Sequence, residues 1–213
     1  MGLLNYMALV KHNNNSISAV TSMASLTTGA MTLIKEQTAS SSASISFVDG
    51  SSDVVLDSTY PIYKFEFINM HPATDGGQLS FNMSTDSGSN YNVTKTTTAF
   101  QSIHNESGST TSLNYETAED LAQGTGFQDF AVNIGNGNDE NASGEMYLFN
   151  PSSTTFVKHF ITDVNTHHNS DYSVRFFTAG YGNTTSAVDG IQFKMSSGNI
   201  DSGTIKLYGI KDS

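Results

Sequence analysis

The sequence predicts an all-β protein, a jelly-roll-like antiparallel β-sandwich preceded by an extended N-terminal arm. Three observations predict it. Ser, Thr and Asn supply 73 of the 213 residues and charged side chains only 14%, a mix poor in the Ala, Leu, Glu and Lys that sustain helices. Turn clusters of Gly, Asn, Asp and Ser recur between aromatic or β-branched runs at the spacing of a sandwich or barrel. Within those runs apolar and polar letters alternate with the period of two that a half-buried strand requires.

Taken in order, residues 1–45 differ in kind from the rest. "HNNNS", "TSMASLTTGAM" and "TASSSAS" cannot bury much surface alone, so the segment reads either as a flexible leader followed by a first strand, "MTLIKEQ", or as an assembly arm that orders on a neighbouring subunit. Met7 is an alternative start, because "MALVKHNNNSISAVTS" already forms a complete opening. Residues 46–213 are read as the sandwich domain. In "YKFEFINM", Tyr63, Phe65 and Phe67 share one face and Lys64 and Glu66 the other. "QLSFNMS" repeats this with Leu79, Phe81 and Met83 inward, and the two strands are expected to pair. "TAEDLAQG" offers the one helical turn, with Thr117 as cap, Asp120 three residues on and Gly124 as stop. "EMYLFNP", "TTFVKHFITDV", "DYSVRFFTAGY" and "DGIQFKMSS" follow as strands, the first closed by Asn150 and Pro151. They are expected to form one sheet with the closing "TIKLYGI", where Ile205 and Leu207 oppose Lys206 and Tyr208 and "SSGNIDSG" supplies the turn before it.

Charge and composition exclude several function classes. A net charge of −11 repels phosphate backbones, and no basic stripe recruits them, so nucleic acid is not expected as a partner. No run of 18 apolar residues occurs, so no membrane span is expected. There is no cysteine, so neither disulfides nor thiolate-bound zinc staples the fold, and stability must come from packing or from neighbouring subunits.

The chemical motifs are sparse. No nucleophile elbow, phosphate loop or His-Glu-x-x-His is present, and "GTGFQDF" lacks the third glycine of a dinucleotide fingerprint. His12, His71, His104, His159, His167 and His168 are scattered, and the adjacent pair would point to opposite sides of a strand, which is poor geometry for one metal. Glu66, Asp86, Glu106 and Asp163 are nominees for a glycosidase pair only by being acidic. The loop "NIGNGNDENASGE" offers Asn136, Asn138, Asp139, Glu140 and Glu145 as oxygen ligands of the kind calcium takes, without matching a helix-flanked calcium loop. Calcium at loop 135–145 is thus the one cofactor worth naming. No catalytic, cofactor-binding or metal-binding residue is assigned.

"FINMHPATDGGQLSFNMSTDSGSNYN", "LFNPSSTTFVKHF" and "TAGYGNTTSAVDGIQFKMSSGNIDSGTIKLYGI" together resemble a family of small virion structural proteins of marine bacteriophages, over about residues 45–210. The opening "ALVKHNNNSISAVTS" is similar to the leader of such proteins. The resemblance implies a β-sandwich module on the particle exterior, as a tail-fibre or appendage component or as a capsid-decorating protein, made in the host bacterial cytoplasm. Its motifs mark a scaffold and turns, so no functional residue carries across. The resulting expectation is a non-enzymatic structural protein whose partners are other virion proteins and further copies of itself, a trimer by the habit of phage surface proteins. Loops 84–92, 135–145 and 165–171 face outward. The alternative is a glycan-binding receptor module that stacks sugars on Tyr91, Tyr172 and Tyr181, and a glycosidase or depolymerase is the third reading.

Overall fold

The chain folds into twelve antiparallel strands, most of which alternate buried with more exposed side chains. The computed structural model describes residues 30–211. The strands are β1 (Met31–Ser42), β2 (Ile45–Val48), β3 (Ile62–Pro72), β4 (Gly77–Ser84), β5 (Lys95–Asn105) and β6 (Thr111–Tyr115), then β7 (Gln128–Ile134), β8 (Ala142–Phe149), β9 (Lys158–His168), β10 (Tyr172–Gly182), β11 (Gly190–Met195) and β12 (Ile200–Ile210). The chain is all-β, as the sequence predicts.

Eight of these strands follow a jelly-roll order. One layer runs β1-β12-β3-β8 and the other β2-β11-β4-β7, two interlocked Greek keys. Two hairpin segments are added to this frame. β9 pairs β8, β10 pairs β9, β5 pairs β10 and β6 pairs β5, so the first layer grows to eight strands that end in β6. A single residue pair between β7 and β9, Ile134 with His168, ties the layers at one side. At the other, the Gln37 side-chain amide on β1 donates to the Ser46 carbonyl on β2 at 2.8 Å. The sheet is thereby nearly closed into a barrel.

The core lies between the layers. Tyr63, Phe65 and Phe67 from β3, Met146 and Leu148 from β8, Phe160 from β9 and Leu207 from β12 meet Phe81, Phe130, Phe193 and Phe47 from the opposite layer, all essentially inaccessible to water. Phe193 sits edge-on to Phe65 and to Phe67 at 5.2 Å each, and Phe81 to Phe160 at 4.9 Å. Such aromatic pairs contribute about 0.5–1.5 kcal/mol each beyond their buried area. A second, smaller core of Ala99, Val174 and Phe176 folds the added strands over Val132 of β7. Gly144 of β8 lets two chains approach closely: a Cβ there would lie 2.3 Å from the Asp163 carbonyl oxygen.

Several local expectations change. β3 and β4 do not pair: β3 lies between β12 and β8, and β4 between β11 and β7, because their aromatic faces oppose each other across the core. The C-terminal strands do share the one twelve-stranded sheet, but not all as neighbours: β8, β9 and β10 lie side by side, β3 separates β12 from β8, and β11 lies in the facing part of the sheet between β4 and β2. "TAEDLAQG" forms a turn and a bend rather than a helical turn, its backbone engaged instead by the Glu119 amide to the Glu116 carbonyl and the Leu121 amide to the Thr97 hydroxyl. β12 begins inside the expected turn, at Ile200, and crosses two register shifts near Gly203 (φ 127°). The 1–45 segment contributes β1 to the sheet; its first 29 residues, with Met1, Met7 and His12, lie outside the described residues.

Candidate functional site

Among the described residues one group of side chains with metal-ligating atoms in reach of one another sits where the added hairpins meet the jelly roll. Glu140 comes from the loop between β7 and β8, His167 from the end of β9 and Asp171 from the β9–β10 turn, and one ligand atom of each lies within 4.8 Å of the others. Backbone hydrogen bonds pin the three segments together. The Gly135 amide donates to the His167 carbonyl at 3.1 Å, the His167 amide to the Asn141 carbonyl at 2.9 Å, and the Glu106 amide to the Asp171 carbonyl at 3.0 Å. The Glu106 carboxylate, largely exposed, stands 3.8 Å from His167 Nε2. That nitrogen is buried and has no hydrogen-bond partner. A cavity of about 260 Å³, lined in part by His104, Glu106, His167 and Tyr172, opens beside it.

The expected calcium ligands do not assemble in the same way. Only Glu140 of the five enters this group. Glu145 lies on β8 and binds Lys64 at 2.8 Å, and Asn136 turns toward Asp75 and the Ala73 carbonyl. His167 and His168 do point to opposite sides, His168 packing edge-on against Tyr172 and accepting from the Ser170 amide. Burial holds His168 below the ordinary histidine value, although Asp75 and Glu140 oppose the shift. Residues 165–168, expected as loop, are the end of β9.

The acidic nominees stand apart from one another in role. Asp86 organises its own turn, accepting from the Asn90 amide, the Asn90 side chain and the Ser84 hydroxyl. Glu66 and Asp163 lie on the outer face of the large layer, on either side of Glu145. Lys64 hydrogen-bonds Glu66 and lowers its pKa, and a bidentate Arg175 does the same for Asp163. A glycosidase needs one carboxyl held protonated near neutral pH, and these two are both held ionised. A carboxyl shifted upward lies elsewhere: burial, then Glu119, push Asp129 on β7 up to about 7. No letter pattern marks that pair.

The outer face of the large layer carries an aromatic field. Phe100 of β5 and Phe177 of β10 stack at 5.0 Å, and Tyr115 of β6 lies directly across from Phe100. Toward β8, a shallow groove of about 500 Å³ runs over Thr98, Ala179 and Gly180 between Tyr181, His159 and Phe149. The three tyrosines expected to stack sugars do not converge: Tyr172 and Tyr181 occupy opposite ends of β10, about 30 Å apart along the strand, and Tyr91 lies in the β4–β5 connection. No protein-family model, characterised protein or solved structure matches this chain.

Proposed function

We propose that the protein is a non-enzymatic structural module that assembles with a second copy of itself, in the setting of a bacteriophage particle. The observation that carries the assembly reading is β6. This strand ends the large layer, and its second edge meets no other strand among the described residues. Terminal strands are ordinarily protected by lysine, proline, a bulge or a covering segment. "TSLNY" has no charge and no proline, its pairing with β5 runs without a register shift, and Leu113 is 71% and Tyr115 53% exposed. A second β6 fits this edge best. Antiparallel pairing about a two-fold axis through Leu113 sets Leu113 on Leu113 and Thr111 on Tyr115, and joins the Phe100–Phe177 stacks of both copies into one apolar band.

The virion setting rests on the resemblance of the quoted strings and on analogy with viral coat domains, which share the jelly-roll order. Two measurements test the proposal. Light scattering of the full chain is expected to give a dimer that Leu113→Lys converts to monomer. A monomeric wild type, or a trimer indifferent to Leu113→Lys, overturns the pairing. For the setting, an electron-microscopy map of the particle should contain the fold at symmetric exterior positions, on the capsid or on the tail. The groove at Tyr181 and His159, whose rings lie 6.0 Å apart, favours host glycan binding as a second reading; Tyr181→Ala should then abolish binding on a glycan array.

A further inference from the structure

We propose that Glu140, His167 and Asp171 bind one divalent metal ion of the zinc class, clamping the β9–β10 turn to the loop that precedes β8. Zinc sits about 2.0–2.2 Å from imidazole nitrogen and carboxylate oxygen in a roughly tetrahedral shell. Ligand atoms around such an ion are about 3.5 Å apart, and the three here already lie within 4.8 Å of one another, so small side-chain rotations close the shell. The backbone needs no movement, because hydrogen bonds from Gly135, His167 and Glu106 already lock the three segments in place.

Two further observations point to an ion. The first is the unpartnered His167 Nε2, buried yet without a hydrogen bond. A buried polar atom left unmatched is costly, and an imidazole with this nitrogen 3.8 Å from Glu106 and a ring nitrogen grouped with Glu140 and Asp171 is one that a metal would satisfy. The second is the seat built for Glu140. A Cβ on Gly135 would fall 2.2 Å from its carboxylate and one on Gly137 2.8 Å, and the Gly137 amide donates to Oε2. Neither glycine has a left-handed φ, so no turn demands glycine at these places. The room they leave is occupied by the carboxylate, which they aim at the turn.

The donor set selects the metal class. Calcium takes six to eight oxygen ligands, whereas one imidazole with two or three carboxylates suits zinc, and after it manganese or nickel. Glu106 can swing in as a fourth ligand. With Glu106 turned away, the remaining position opens toward the cavity lined by His104 and Tyr172.

The test uses full-length, untagged protein stripped with a chelator. Titration calorimetry should show one zinc ion bound per chain and a raised melting temperature, with calcium at the same concentration giving neither. Glu140→Gln and His167→Gln should each weaken binding at least tenfold, and His159→Gln, at the far end of β9, should leave it unchanged. Asp171→Asn, on the exposed turn, keeps the test open if His167→Gln fails to fold. The absence of stoichiometric zinc binding to wild type overturns the proposal. So does binding that survives Glu140→Gln, His167→Gln and Asp171→Asn, or a site that takes calcium in preference to zinc.

Discussion

Lys95 is fully buried at the start of β5, and no carboxylate pairs with it among the described residues. Its ammonium donates to Asn82 Oδ1 at 2.6 Å and to the Val93 carbonyl at 2.9 Å. Burial pulls its pKa down from 10.5 to about 7. The unfolded chain therefore binds more protons than the folded one between pH 7 and 10.5, so stability rises with pH across that window. Integrated from pH 7.5 to 9.5, the gain is about 2.5 kcal/mol, at about 1.4 kcal/mol per pH unit while the unfolded lysine is still charged. Urea unfolding followed by far-ultraviolet circular dichroism at pH 7.5, 8.5 and 9.5 measures it, with Lys95→Met as reference. Asn82 Oδ1 keeps the Met83 amide as a partner in that variant, so the pocket is not left wholly unmatched. Wild type should gain about 2.5 kcal/mol more than Lys95→Met over the range. Parallel curves for the two proteins would refute the reasoning, because the slope would then belong to other groups.

Other perturbations test other parts of the fold. The Asp129 carboxyl, raised to about 7, contributes stability that is present in acid and lost as pH rises through 7. Stability should therefore fall by about 2 kcal/mol between pH 5 and 8, and Asp129→Asn should flatten that fall in the same unfolding assay. Gly144→Ala drives a methyl group into the backbone of β9, 2.3 Å from the Asp163 oxygen and 2.6 Å from Val164 Cα. A loss of about 3 kcal/mol is expected, and an unchanged urea midpoint would show that β8 and β9 are less closely packed than described.

Where one face of a strand is apolar and the other charged, the fold was legible. "YKFEFINM" and "TIKLYGI" show their core faces letter by letter, and Tyr63, Phe65, Ile205 and Leu207 are buried as that alternation requires. Four strands, β2, β5, β6 and β7, carry no such pattern in the sequence. In β5 the inward positions are Lys95, Thr97 and Ala99 before Ile103, small or polar residues that pack under a covering segment rather than into the aromatic core. The polar face of β4 misleads in the same way. Ser80, Asn82 and Ser84 look solvated, but they are buried, and the Asn82 amide holds the carbonyls of Tyr91, Thr125 and Gly126. The Glu140–His167–Asp171 group was hidden for a different reason. His167 and Asp171 are close in sequence, but Glu140 comes from the separate loop before β8, which the His167 amide and carbonyl and the β8–β9 pairing bring alongside, and only one histidine of the adjacent pair faces the group.

The nested strand order also governs when the molecule can form. Among the described residues β1 has no strand partner but β12, and β2 none but β11, so each of these early strands waits for a late one to be synthesised. The pair β4 and β7 is the innermost turn of the roll, and β3 with β8 encloses it. During synthesis β2 therefore waits for β11 and β1 for β12, while β3 can pair once β8 has emerged. Closure is slow because its decisive contacts, β1 with β12, join distant parts of the sequence, and a chain cut before Ile200 would leave β1 as a sticky edge.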